Sequence, residues 1–320
     1  MLRWGLIGCG DIVVKRVAAA LGQARDSRLV AVSRRRADLA AGFAARYGAD
    51  RWFADWHELV RDDGIDAVYV ATPVHQHAAQ AIAAVEAGKH VLCEKPMAID
   101  VASCERMIAA ARSADVRLGV AYYRHFYPVV ARLRELVAAG TLGRIALATA
   151  EAFERFDARE GEPRAWLLRA SESGGGPMFD FGCHRVEVLL DVLGPAAEAR
   201  AACSNVLFRE REVEDTCAAF IRFECGAIAS VMTTHAAAEP RDGLHVYGTG
   251  GSVHVPILNA GAMRVVTAAG EHEEIHPTPS NLHLPLVEDF VDAVRRQRTP
   301  TVPGETGLAV ARVMAGIYGR

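Results

Sequence analysis

Glu94-Lys95-Pro96 follows directly on the apolar run His90-Val91-Leu92-Cys93. A lysine at the carboxyl end of a buried strand, with a proline fixing the backbone behind it, is placed as a reagent. Its ammonium can polarise a carbonyl or stabilise a developing alkoxide in a partly dry site. The plainer alternative is a surface lysine laying its stem on apolar neighbours. A second cluster lies in Gly174-Gly175-Gly176-Pro177-Met178-Phe179-Asp180-Phe181-Gly182-Cys183-His184. The proline suits the first position of a helix opened by a glycine loop. Asp180 and His184, four apart, then share a face of that helix. A histidine can exchange a hydroxyl proton near neutral pH, and a carboxylate can orient it or hold a neighbouring hydroxyl. Taken alone, Asp180 would be a helix-dipole partner and His184 a core histidine.

Near the start, Gly8-Cys9-Gly10-Asp11-Ile12-Val13 follows a short apolar strand and precedes an Ala/Val-rich helix. The first glycine permits a tight turn, the second lets backbone approach a pyrophosphate, and the helix start offers free N–H groups to the phosphates. Val13 stands where the dinucleotide fingerprint has its third glycine, so the motif depends on its strand–turn–helix context. Lys95, the Asp180/His184 pair and this turn together describe a nicotinamide-dependent dehydrogenase. The second strand ends in Ser33-Arg34-Arg35-Arg36, with no acid before Asp38. A carboxylate there would hold a ribose hydroxyl. Ser33 and Arg34 instead suit a 2′-phosphate, which favours NADP(H) over NAD(H). Thr72-Pro73 and Glu94-Lys95, each after a strand, are expected at the nicotinamide end of the cofactor. His75 and His77 lack a third ligand nearby, so no metal is expected, and no G-x-S-x-G elbow suggests a serine hydrolase.

The elements that position these groups fall into two rhythms. Strands and helices alternate to about Ala121, implying right-handed crossovers and a parallel sheet covered on both faces. Beyond it, strands are expected over Ala146–Phe153, Ala197–Leu207, Thr216–Phe223, Ala227–Thr234, His245–Tyr247, Ser252–Val255 and Met263–Thr267, separated by turn signals and interrupted by helices at 177–193 and 286–296. That is a mostly antiparallel sheet. The reading is an α/β Rossmann domain over 1–121 and an α+β domain over 122–320. The 320 residues carry a formal charge of -3, which argues against nucleic acid as a partner. Seven scattered cysteines without a C-x-x-C pair suggest reduced thiols. With no signal peptide and no spanning apolar run, a cytoplasmic, membrane-free protein is expected.

These residues together resemble the glucose–fructose oxidoreductase/inositol dehydrogenase/MocA (Gfo/Idh/MocA) family. The similarity runs through nearly the whole chain: the Gly8-x-Gly10 turn, Ala71-Thr72-Pro73 with His77, Glu94-Lys95-Pro96, Tyr123-x-x-Phe126 around Arg124, the Gly174–His184 block, Glu214-Asp215 and Gly248–Ser252. The resemblance implies a Rossmann domain followed by a domain with a large open-faced sheet, through which subunits form a homodimer or homotetramer. It implies reversible hydride transfer between a nicotinamide and a secondary alcohol of a sugar, inositol or polyol. His184 would be the acid/base, Lys95 would assist, and Asp180 would place the substrate. Gly8, Gly10, Asp11, Ile12, Ser33, Arg34, Thr72, Pro73, His77, Glu94 and Lys95 would line the cofactor. Tyr123 and Arg124 would face the substrate, and Arg164, Trp166 and Arg169, just ahead of the glycine loop, are candidates for the same pocket. Two rival readings are a non-catalytic sensor that keeps the fold and a glycosidase with tightly held NAD.

Overall fold

The computed structural model describes residues 1–320. The chain forms two compact units, Met1–Tyr123 with Asn281–Ala311, and Arg124–Ser280 with Arg312–Arg320.

The first unit alternates strand and helix as expected: β1 (Leu2–Ile7), a π-helical turn (Val13–Val17) running into α1 (Ala18–Gln23), β2 (Ser27–Ser33), α2 (Ala37–Tyr47), β3 (Arg51–Phe53), α3 (Trp56–Val60), β4 (Ala67–Val70), α4 (His77–Glu86), β5 (His90–Cys93), α5 (Val101–Ser113) and β6 (Leu118–Val120). All pairings are parallel, in the order β3-β2-β1-β4-β5-β6. Central strands are covered on both faces, so β4 is a run of apolar residues buried at every position. Local chemistry fixes the helix starts: the Asp55 carboxylate accepts from the His57 N–H at 2.9 Å, and that of Asp100 from the Ser103 N–H at 2.7 Å. Strand order reverses at β1, where the Gly8 turn and the carboxyl ends of β4 and β5 meet one edge of the sheet.

The second unit contains α6 (Pro128–Ala138), β7 (Ile145–Arg155), α7 (Ala170–Ser173), a π-helical turn (Met178–Gly182) continuing into α8 (Cys183–Leu193), then β8 (Ala196–Ser204), β9 (Thr216–Phe223), β10 (Ile228–Thr234), β11 (Ala236–Arg241), β12 (Leu244–Gly248), β13 (Gly251–Val255), β14 (Ala262–Thr267) and β15 (Gly270–Ile275). Its nine-stranded sheet runs β15-β14-β13-β12-β7-β10-β9-β8, with β11 pairing β7. Pairing is antiparallel except between β7 and β10. Cys217, Ala219, Ile221 and Phe223 are buried on one face of β9, while Phe220 on the other is 62% exposed. Leu147, Ile228 and Tyr247 lie opposite one another on that same open face.

Three features differ from the sequence reading. Residues after 121 do not all join the second unit. The chain returns as α9 (Leu284–Arg295), whose Phe290 ring packs 5.5 Å from Trp4 and against Gly119. The Val120 N–H donates to the Val302 carbonyl at 3.0 Å, and Gly304 opens α10 (Gly304–Tyr318) against Leu118 and Ile108. This return covers the three-residue edge strand β6, and α10 is an element the sequence reading lacked. The strand expected to reach Leu207 stops at Ser204, because the N–H groups of Val206, Leu207 and Phe208 turn onto the Asp215 carboxylate at 2.7–3.0 Å. Strands β11 and β15 were also unforeseen. No helix is long and apolar enough to cross a membrane.

Candidate active site

In the first unit, Gly8 adopts φ +91°, and an added Cβ would sit 2.6 Å from the Ala71 carbonyl oxygen. Only glycine satisfies both conditions. Its N–H donates to the Ser33 carbonyl at 3.0 Å, tying the turn to the end of β2. Gly10 has nothing within 4 Å of an added Cβ, so its backbone is open to an approaching ligand. Val13, at the fingerprint's third position, is fully buried and opens the π-helical turn. Asp11 pairs with Lys15 at 2.7 Å on the exposed face of that turn. Half-buried Ile12 has no polar side chain, so only its backbone can serve a phosphate.

Thr72, Pro73 and Lys95 are half-buried at the ends of β4 and β5. The Thr72 hydroxyl donates to the Gln80 amide oxygen at 2.7 Å. His77 is buried between the two turns, with Nε2 2.8 Å from the Thr72 carbonyl and Nδ1 2.9 Å from that of Pro96. Burial pulls its pKa below the usual range although both carbonyls oppose this. The Glu94 carboxylate accepts from the Tyr69 hydroxyl at 2.9 Å and the Lys95 N–H at 3.1 Å, and lies 3.4 Å from His283. Burial pushes its pKa up, but His283, Lys95 and Tyr69 outweigh burial and hold it below the usual range. The Tyr123 ring packs 4.5 Å from that of His283. The Lys95-Pro96 peptide is cis.

In the second unit, the glycine loop is filled from within. A Cβ on Gly174 would meet the Phe179 ring at 2.7 Å, one on Gly175 the Tyr318 hydroxyl, and one on Gly176 the Glu214 carbonyl. The buried Glu214 carboxylate accepts from the N–H groups of Gly176 at 2.8 Å and Met178 at 3.3 Å, and from the Tyr318 hydroxyl at 2.7 Å. It thus supplies the anion that a helix start attracts. Burial still raises its pKa above the usual value, with these hydrogen bonds opposing. Held this way, the π-helical turn presents Asp180, and the following α8 carries His184, which is 3% exposed. A π turn in place of regular helix is a frequent mark of a functional site.

Asp180 has a built-in partner. Arg164 Nη2 donates to its Oδ2 at 3.2 Å and to Glu154 Oε1 at 3.3 Å, and the guanidinium lies 4.1 Å from the Phe156 ring centre. His235, fully buried between Phe156 and Phe181, has neither ring nitrogen hydrogen-bonded and is pulled down to a pKa of about 4 by burial. Separately, a cavity of about 560 Å³ is lined by Arg124, Phe153, Glu154, Phe181, Arg185 and Asp242. Arg124 and Arg185 both pair with Asp242 there.

The family model for the NAD-binding Rossmann oxidoreductases matches residues 2–122, and that for the GFO/IDH/MocA C-terminal domain matches 130–254. The chain belongs to the Gfo/Idh/MocA oxidoreductase family. As a member it is an NAD(P)-dependent oxidoreductase. It is 32% identical to 1,5-anhydro-D-fructose reductase of Ensifer adhaerens, over 98% of this chain and 97% of the relative. Among solved structures it resembles aldose-aldose oxidoreductase from Caulobacter crescentus, complexed with glycerol (27% identity, TM-score 0.89, 99% and 96% of the two chains). It also resembles levoglucosan dehydrogenase complexed with NADH and levoglucosan (25% identity, TM-score 0.90, 99% and 96%).

Within this Gfo/Idh/MocA chain, two of the expected cofactor residues have buried partners of their own. The side chains of His77 and Glu94 face backbone carbonyls and buried partners and so brace the two turns. Ser33 is likewise buried, and its carbonyl serves Gly8. Arg36 is engaged with Asp38 at 2.7 Å, which leaves Arg34 and Arg35 as the cations beside the second strand. Of the three candidates ahead of the glycine loop, Arg164 reaches Asp180, while Trp166 is half-buried on the turn Ala165–Leu168. Sequence reasoning missed Glu154 and His235, which with Asp180 bring ligand-type atoms within 4.8 Å of one another, a cluster that already holds the Arg164 guanidinium. The register pairing Thr234 with Phe153 carries the chain into both residues, a signal visible only after the strands pair.

Proposed function

We propose that this Gfo/Idh/MocA member interconverts a secondary alcohol and its carbonyl on a sugar or polyol, with Lys95, Asp180 and His184 as catalytic residues. The observation that carries the reading is the footing of the Asp180/His184 segment, fixed by Glu214 at its start and by Arg164 at Asp180. Pre-positioned groups of this kind lower a barrier without reorganising during the reaction. The sugar and polyol chemistry named for the relatives supports the substrate class.

The cofactor fits the residues present, because Gly10 leaves an open cradle at a helix start that a Cβ would fill. When bound, the nicotinamide accepts or supplies the hydride. His184 holds the proton exchanged with the substrate hydroxyl. The Lys95 ammonium stabilises a developing alkoxide. Asp180, fixed by Arg164, accepts a hydrogen bond from a neighbouring hydroxyl. Arg34 and Arg35, with no acid at the end of β2, support NADP(H) over NAD(H). The exposed row of Leu147, Ile228 and Tyr247, with Phe220 beside it, supports a homodimer or homotetramer through the open face of the sheet.

The test is nicotinamide absorbance change with NADP and NAD across aldoses, ketoses, inositols and anhydro sugars. Lys95→Ala should cut turnover at least ~10³-fold and leave cofactor affinity within a few-fold; unchanged turnover removes Lys95 from the mechanism. Arg34→Ala should weaken NADPH about tenfold more than NADH, and equal losses sink the 2′-phosphate assignment.

A further inference from the structure

Two thiols in the second unit lie far closer than packing requires. Cys203 on β8 is directly opposite Cys217 on β9, and their sulfurs are 2.8 Å apart. Opposed residues of paired strands point to the same face. Cys217 is 1% exposed on the covered face, whereas Cys203, on the terminal strand of the sheet, is exposed. The pair therefore has one accessible and one sheltered sulfur, clear of the open face that carries Phe220.

The chain between them is held in shape. The Asp215 carboxylate accepts N–H bonds from Val206, Leu207 and Phe208 and the Thr216 hydroxyl at 2.8 Å, and the Asn205 amide donates to the carbonyls of Phe208 and Arg211. Closing a bond between the sulfurs would ask little of a loop already closed. The same short stretch supplies Glu214 to the start of the Asp180/His184 segment.

We propose that Cys203 and Cys217 form a thiol–disulfide exchange site for low-molecular-weight disulfides of the glutathione class. The Cys203 thiolate attacks one sulfur of the small disulfide, forming a mixed disulfide and expelling one small thiolate. Cys217 passes its proton to that thiolate and attacks Cys203 Sγ, expelling the second small thiolate, which takes up from water the proton that Cys203 lost on ionising. Two protein thiols are oxidised and one small disulfide is reduced to two thiols, so atoms and electrons balance. The shared hydrogen bond lowers the pKa of Cys203, which suits the attacking sulfur, while that bond and burial raise Cys217. Exposed Cys225 serves as an internal comparison, since it lies on the turn after β9 away from this pair.

The experiment incubates the full chain with oxidised glutathione, quenches by alkylation under denaturing conditions, and maps peptides by mass spectrometry. Wild type should lose two of its seven thiols to a Cys203–Cys217 cross-link, regain them with reduced glutathione, and melt several degrees higher when oxidised, as closing a loop predicts. Cys217→Ser should instead accumulate a lasting glutathione adduct on Cys203. Cys203→Ser should give neither product at Cys217. A stable glutathione adduct on wild-type Cys203, a cross-link involving Cys225, or a lower melting temperature after oxidation would each overturn the proposal.

Discussion

The molecule has two glycine-rich turns that each feed a π-helical turn, and they use glycine for opposite ends. At Gly10 the absent side chain leaves open space beside a helix start, free for a ligand to approach. At Gly174, Gly175 and Gly176 the absent side chains are replaced by the protein itself: Phe179, the Tyr318 hydroxyl and Glu214. One helix start is kept available to an outside anion; the other is satisfied by a carboxylate from its own unit. Glycine richness therefore does not mark a phosphate site. At a helix start, what separates the two turns is whether the chain itself fills the space.

Substitutions should separate the two turns. Gly176→Ala should do the most damage, about 3 kcal/mol of stability in urea melts, because the new methyl runs into the Glu214 backbone. Wild-type stability would mean the loop yields freely, and the contrast would fail. Tyr318→Phe should cost about 2 kcal/mol at pH 7, since it removes a hydrogen bond to a buried carboxylate. Because the folded-state pKa of Glu214 is raised above its ordinary 4.5, stability from this group is complete below that value and is lost as pH rises through the higher one. The Tyr318→Phe deficit should accordingly shrink as the pH falls through the raised pKa of Glu214 and be smallest below about 4.5; a deficit constant with pH would remove the hydroxyl–carboxylate bond as its source. Gly10→Ala should act on binding alone, weakening the dinucleotide about tenfold, or ~1.4 kcal/mol, with the melting temperature unchanged. Loss of stability there would show that Gly10 is also a packing residue.

Much of the first unit was legible because its strands are short apolar runs whose ends carry the chemistry. Lys95 could be placed from the four residues before it and the proline after it. Asp180 and His184 could be assigned to one continuous helical segment because helical spacing is local. The role of Glu214 was not legible, since a Glu-Asp pair before a strand says nothing about which helix start it will meet. Glu154 and His235 converge only through the parallel register of β7 and β10, a pairing between segments some eighty residues apart in the sequence. β15 escaped notice because Gly270–Ile275 is largely charged and its side chains are mostly exposed, so no alternation announces it. The amphipathic pattern of α9 predicted a helix correctly but not which core it would join.

The route of the chain has a practical consequence for anyone who cuts or labels it. It enters the second unit at Arg124, leaves at Asn281 and re-enters at Arg312, so no single cut yields either unit whole. A fragment ending at Tyr123 lacks Phe290 and Val302, and its last strand loses its cover. At the other end, the Tyr318 hydroxyl reaches Glu214, and the Arg320 guanidinium donates to the Gly174 carbonyl at 3.0 Å. A change that displaces Tyr318 or Arg320 would therefore pull on the glycine loop that leads into the turn carrying Asp180, far from it in sequence.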